Sequence, residues 1–257
     1  MYTGLIAEEV RVTGHEGLEI NAYLARPLGP GPFGGVGVVH HMPGFDEATT
    51  EIARKFAAHG YMAVVPNLHF REGDGGKAAP DDAAAASRAA GGVPDERFVG
   101  DLAGALRHLE SYEEFSGKKG VIGYCSGGRQ AFLAALSLDL DAAVDCYGAF
   151  VVGNPPEGTS LRVTPLVART GELRCPLLGL FGNEDKFPSP EQVDELEVAL
   201  EQAGKTYEFH RYDGAGHGFF AVDRTMYRPE AAVDGWQRIF EFFGRHLGAT
   251  SGEGASA

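Results

Sequence analysis

The stretch "GVIGYCSGG", residues 120–128, decides how the rest of the chain is read. Its first half is apolar and β-branched, its second half is glycine-rich, and Cys125 and Ser126 stand side by side where the two meet. Gly123, Tyr124, Cys125, Ser126 and Gly127 fit the spacing Gly-x-nucleophile-x-Gly, which has a mechanical reason between a strand and a helix. The nucleophile occupies a strained tight turn, and small neighbours let strand and helix approach closely. The thiol of Cys125 would then stand above a sheet at a helix N-terminus, where the dipole and free N–H groups favour thiolate. A strand-ending cysteine beside a glycine-rich helix start is the plain alternative. The partners elsewhere in the chain weigh between the two.

A nucleophile needs a base to take its proton and a third group to orient that base. Asp185 closes "LLGLFGNED", with Pro188 just beyond, and His217 lies in "DGAGHGF"; each follows an apolar run that reads as a strand. Either residue alone is ordinary, an aspartate capping a turn or a histidine on a glycine loop. Together they give the chain order nucleophile, acid, histidine at the ends of successive strands, which is the order of an α/β-hydrolase.

The surrounding pattern agrees. Short apolar runs ("GGVGVVHH", "YMAVVPNL", "KGVIGYC", "AAVDCYGA", "PLLGLFGNED") alternate with helical segments ("EATTEIARKFAAHG", "DERFVGDLAGALRHLESY", "GRQAFLAALSL", "PEQVDELEVALEQAG", "PEAAVDGWQRIFEFFGRHL"). Such alternation predicts an α/β fold with a mostly parallel central sheet and helices on both faces. Residues 73–94 are rich in glycine, alanine and aspartate and read as a short helix, a mobile cover or a loop. One domain over 1–247 is expected, with 248–257 a disordered tail lacking apolar periodicity.

Composition narrows the partners. The 257 residues carry a net charge of −14, which repels phosphate backbones and anionic lipid, so a small molecule is the expected partner rather than nucleic acid or membrane. Cys125, Cys146 and Cys175 cannot all pair, and the last two sit in apolar runs suited to buried free thiols. With acids in the first ten residues where a signal peptide needs basic ones, a cytoplasmic location is expected. No clustered metal-ligand spacing or phosphate-binding glycine fingerprint occurs in the sequence, so neither metal nor organic cofactor is expected. Composition leaves monomer and homodimer both open.

On "GYCSGG", on "GNED" followed by "FPSP", and on "GAGHGF", the chain resembles the dienelactone hydrolase family of α/β-hydrolases over nearly its whole length. The resemblance implies Cys125 as nucleophile, His217 as base and acid, Asp185 as the group fixing the imidazole tautomer, and the Ser126 amide as one oxyanion donor. The second donor would come from the loop after the third strand, "HHMPGFD", where Met42 keeps an N–H ahead of Pro43.

Two positions depart from the family pattern. Dienelactone hydrolases carry a glutamate where this chain has His41, so the thiol would be activated differently or His41 would assist as base or donor. His40, facing the other way by strand alternation, reads as structural. An arginine expected four residues beyond the base is Ala221 here, leaving Arg71 and Arg88 as candidate anion partners. Phe45, Phe70, Phe219 and Phe220 suggest an apolar substrate pocket. The reading is an ester or lactone hydrolase acting through a cysteinyl thioester. Its alternatives are a thioesterase or secondary-metabolite hydrolase on the same triad, or a non-catalytic binding protein of this fold.

Overall fold

The computed structural model describes residues 4–248. Eight strands form one sheet in the order β1-β2-β4-β3-β5-β6-β7-β8. The strands are β1 (Leu5–Thr13), β2 (Glu19–Pro27), β3 (Phe33–Val39), β4 (Tyr61–Pro66), β5 (Phe115–Tyr124), β6 (Ala142–Cys146), β7 (Leu177–Gly182) and β8 (Tyr207–Tyr212). β1 and β2 pair antiparallel, β2 joins β4 antiparallel, and every other pair is parallel. The central strands β3, β4, β6 and β7 are buried along their whole length, which explains their unbroken apolar runs. The N-terminal β1–β2 pair lay outside the strands read from the sequence, because its residues mix acids with apolar side chains at a half-exposed edge.

Among the described residues, five of the six α-helices cover the two faces of the sheet. α1 (Glu47–Ala58) and α6 (Pro229–Phe243) pack on one side, where Phe56, Ile239 and Phe243 are buried with Val36, Val38 and Leu178 of the sheet. α3 (Asp95–Leu109), α4 (Ser126–Ser137) and α5 (Pro190–Gln202) pack on the other, with Phe98, Leu102, Phe132 and Leu196 against Val121 and Leu177. The alanine-rich segment is settled as a helix, α2 (Pro80–Ala89), with Ala83, Ala84 and Ser87 buried. The N-terminal ends of α1 and α5 are written in the sequence. Asp46 caps α1 by accepting from the Thr49 amide, and Ser189 and Gln192 form a reciprocal capping box on α5.

Because β3, β5, β7 and β8 run parallel, their C-terminal ends open on the same edge of the sheet, and the loops there carry Met42, Cys125, Asp185 and His217. A crevice at the carboxyl ends of parallel strands is where α/β sheets bind ligands. Residues 249–257, nearly all of the tail anticipated from 248 onward, lie outside the described residues. Among the described residues no helix is long and apolar enough to cross a membrane.

Candidate active site

Cys125 sits between β5 and α4 with φ 59° and ψ −122°, a left-handed conformation that a side chain adopts only when its surroundings impose it. Two contacts show what imposes it here. A Cβ on Gly123 would lie 1.8 Å from the Gly127 carbonyl oxygen, and one on Gly127 would lie 2.5 Å from the Val39 carbonyl oxygen. The glycines of the motif are therefore required so that α4 can press its first turn onto β5 and β3. The Cys125 amide donates to the Cys146 carbonyl at 3.1 Å, and its carbonyl accepts from the Gly128 amide at 2.9 Å, locking the turn.

Asp185 and His217 come together as the chain order anticipates. Asp185 Oδ2 lies 2.9 Å from His217 Nδ1, while Oδ1 accepts from the Phe187 amide at 2.9 Å. The carboxylate is buried and the imidazole is about one-third exposed, so the ring is held from behind and presented to the cavity. Burial opposes protonation of His217, but the Asp185 hydrogen bond and the neighbouring Cys125 sulfur outweigh it and raise its pKa to about 10. The thiol shows the converse. Burial pushes Cys125 up, yet the His217 ring, followed by the Ser126 and Met42 amides, outweighs burial and lowers its pKa below the usual thiol value. Both shifts favour the thiolate–imidazolium form of the pair. Cys146 and Cys175 have no such partners: burial pushes Cys146 well up and Cys175 to about 12.

The Met42 amide owes its direction to the residue before it. The His41 carbonyl accepts from His40 Nδ1 at 2.9 Å and from the Gly44 amide at 3.0 Å. Pinning that oxygen fixes the His41–Met42 peptide plane, and so aims the Met42 N–H the opposite way, toward the sulfur. His40 is buried, and its Nε2 accepts from the Leu68 amide at 3.2 Å, so both ring nitrogens are occupied, in line with a structural role. The same burial lowers its pKa to about 4.

A cavity of about 520 Å³ opens over Cys125, and His41, Met42, Arg88, Ser126, Asp185 and His217 share its wall. Other substrate candidates are placed elsewhere. Arg71 makes two hydrogen bonds, 2.7 and 3.1 Å, to the fully buried Asp101 on α3, so its guanidinium is committed to the scaffold. Phe70 is packed in the core beneath Arg11, Phe219 is completely buried among Tyr147, Tyr212 and Phe220, and Phe45 lines a separate groove beside Asn21. Phe220 lines a smaller adjoining cavity rather than this one. The apolar wall is built instead by Phe150, Phe187, Val93, Leu161 and Val163. Phe150 follows β6 and Phe187 stands two residues past Asp185, so their place on strand-end loops was the available signal. Leu161 and Val163 arrive on a long connection without periodicity and gave none.

His41 Nε2 lies 2.7 Å from Asp46 Oδ2, which fixes the ring beside the Met42 amide. No cluster of three or more His, Cys, Asp or Glu side chains suited to a metal ion occurs among the described residues.

The lowered thiol pKa has a direct readout. Iodoacetamide should alkylate Cys125 of the folded protein with a pH inflection below the ordinary value of about 8.5, and should leave buried Cys146 and Cys175 unreacted. In His217→Asn the inflection should move up. Identical profiles for the two proteins would remove the imidazole from the account of the thiolate.

Comparison with known proteins gives the family of the chain. The model of the dienelactone hydrolase family matches residues 20–247. A protein of Methylorubrum extorquens named "Putative carboxymethylenebutenolidase" is 34% identical over 242 residues, covering 93% of this chain and 81% of the relative. A protein of the same name from Escherichia coli K12 is 34% identical over 246 residues, covering 92% and 86%. The crystal structure titled as a putative dienelactone hydrolase of Klebsiella pneumoniae superposes with a TM-score of 0.81 at 31% identity, covering 95% of this chain and all of that one. The chain belongs to the dienelactone hydrolase family and is a hydrolase of the α/β-hydrolase fold.

Proposed function

We propose that this hydrolase cleaves a carboxylic ester or lactone with Cys125, His217 and Asp185 as its triad, through a cysteinyl thioester. One observation carries the reading: the Cys125 sulfur meets the His217 ring and the Met42 and Ser126 amides at one point, with Asp185 fixing His217 from behind. In the thiolate–imidazolium form of the pair, which both pKa shifts favour, the nucleophile is already formed. Attack of Sγ on the ester carbon places the developing charge on the carbonyl oxygen, which the two amides stabilise. Collapse breaks the bond to the alcohol, and the His217 proton goes to the departing alkoxide. Water in the vacated place gives a proton back to His217 and adds to the thioester. The C–S bond then breaks, releasing the acid and restoring thiolate and imidazolium.

The walls bear on the substrate. Phe150 and Phe187, 5.7 Å apart between ring centroids, with Leu161 and Val163, suit an apolar acyl or alcohol group. With Arg71 held by Asp101 and alanine at 221, the cations left on the wall are Arg88, Lys186 and Arg129, and Arg129 is itself bound to Asp95. A weak preference for carboxylate-bearing substrates follows. The Bradyrhizobium relative named "Probable 2-oxo-3-(5-oxofuran-2-ylidene)propanoate lactonase", 28% identical over 250 residues, supports a lactone among the substrates.

Intact-protein mass spectrometry after brief exposure to a panel of small esters, lactones and thioesters tests the reading. The expected result is an acyl mass increment that maps to Cys125 and is absent from Cys125→Ala. Turnover accompanied by an adduct on another residue would overturn it.

A further inference from the structure

Tyr147 directly follows β6, and its backbone is held against its own preference. Its φ is 44°, in the left-handed region that a bulky side chain enters only under constraint. The constraint comes from the strands on either side. The carbonyl of the Cys146–Tyr147 peptide accepts from the Cys125 amide at 3.1 Å, and the N–H of the same peptide donates to the Leu180 carbonyl of β7 at 2.9 Å. Since β5 leads into Cys125 and β7 leads toward Asp185, one peptide plane is pinned by the two strands that carry the nucleophile and the acid.

The side chain reaches the third member of the triad. Tyr147 is only 3% exposed, and its ring centroid lies 5.2 Å from that of His217 with the planes at 62°, an edge-to-face contact. Its hydroxyl accepts from the Phe220 amide, three residues beyond His217, which ties the ring to the histidine loop at a second point. Burial pushes the phenol well above its ordinary pKa and leaves it un-ionised, outside the proton transfers. Tyr147 lines the smaller adjoining cavity rather than the one over Cys125, so any effect on the reaction passes through His217.

The need for such a contact is geometric. The Asp185 hydrogen bond holds Nδ1 at 2.9 Å but leaves the tilt of the imidazole free, while the bond to the Cys125 sulfur falls to Nε2. We infer that Tyr147 is a positioning residue, whose ring fixes the tilt of the His217 imidazole so that Nε2 faces Cys125. The strained backbone is what aims the ring. The inference rests on the triad proposed above.

The test compares Tyr147→Leu, which removes the ring, with Tyr147→Phe, which keeps it, in the full-length protein hydrolysing a small aryl ester. The leucine variant should lose about tenfold in kcat, the worth of one well-placed aromatic contact, with KM within about twofold of the parent. Its pH inflection for iodoacetamide alkylation of Cys125 should move up, in the direction expected of His217→Asn, because a tilted imidazole no longer pairs with the sulfur. Tyr147→Phe should restore most of kcat and the parent inflection. Phe242→Leu, a buried ring on α6 packed against Phe243 and His246, controls for lost stability and should leave both readouts unchanged. Tyr147→Met carries the same expectation as leucine should that variant not fold. Parent-like kcat and inflection without the ring would overturn the inference. So would a phenylalanine variant as impaired as the leucine one, or equal losses in Phe242→Leu. Failure to find the acyl adduct on Cys125 of the parent would instead count against the proposed reaction itself.

Discussion

Replacing Cys125 by alanine is expected to lower kcat roughly 10,000-fold or more, as removal of an essential nucleophile does elsewhere, while the melting temperature stays close to that of the parent. The separation of chemistry from stability has a structural cause. The turn at Cys125 is enforced by Gly123, Gly127 and the backbone bonds to Cys146 and Gly128, and none of these uses the sulfur. Alanine also keeps the Cβ, so the strain of the positive φ is the same in both proteins. Cys125→Ser should recover little. A hydroxyl is far less acidic than a thiol, and the His217 ring and two amides that draw the thiol to thiolate do not suffice to ionise it. Steady-state hydrolysis of a small aryl ester by the three proteins, with thermal unfolding in parallel, is the measurement. An alanine variant that retains most of its activity would move the nucleophile elsewhere, first to Ser126.

Raising the pH from 4 to 8 is expected to weaken the fold through one carboxyl group, that of Asp145. This residue is the last but one of β6, beneath the elbow, and is fully buried; its Oδ1 accepts from the Gly148 amide at 2.7 Å, and Oδ2 has no partner among the described residues. Burial drives its pKa up to about 7, against the opposing effects of the Gly148 hydrogen bond and the His217 charge. The sign follows from the direction of the shift. An unfolded aspartate loses its proton near 3.8 and the folded one near 7, so across that window the folded state binds more protons and its relative stability falls as pH rises. The full effect, reached above the folded pKa, is on the order of 4 kcal/mol. Asp145→Asn keeps the shape and the acceptor for Gly148 but cannot ionise. Urea unfolding of both proteins from pH 4 to 8 should therefore show the asparagine variant gaining on the parent through pH 4 to 7 and holding a constant difference above that. Parallel stability curves would mean that Asp145 is ionised in the fold throughout.

The nucleophile elbow, the order of the catalytic candidates and the alternation of strands and helices were all legible in the chain, because each depends on local geometry. Gly-x-Cys-x-Gly is a statement about one turn, and an unbroken apolar strand is a statement about a position buried on both faces. The capping residues Asp46 and Ser189 belong to the same class. What the walls of the site are made of was decided by segments distant in sequence. Arg71 looks available in the sequence, yet Asp101, thirty residues on, captures it because α3 packs beside the end of β4. Phe45 and Phe219 sit within three residues of Met42 and His217, much as Phe187 sits two from Asp185, but the course of their loops turns them into a different groove and into the core. Arg129, one turn into the elbow helix, reaches Asp95 on α3 and the Thr164 carbonyl, and these contacts tie to the elbow the connection that brings Leu161 and Val163 over the thiol. A motif spacing fixes where the reacting atoms can meet; which side chains surround them depends on the competition of every distant partner for the same charge or the same apolar surface, and only the tertiary packing resolves that competition.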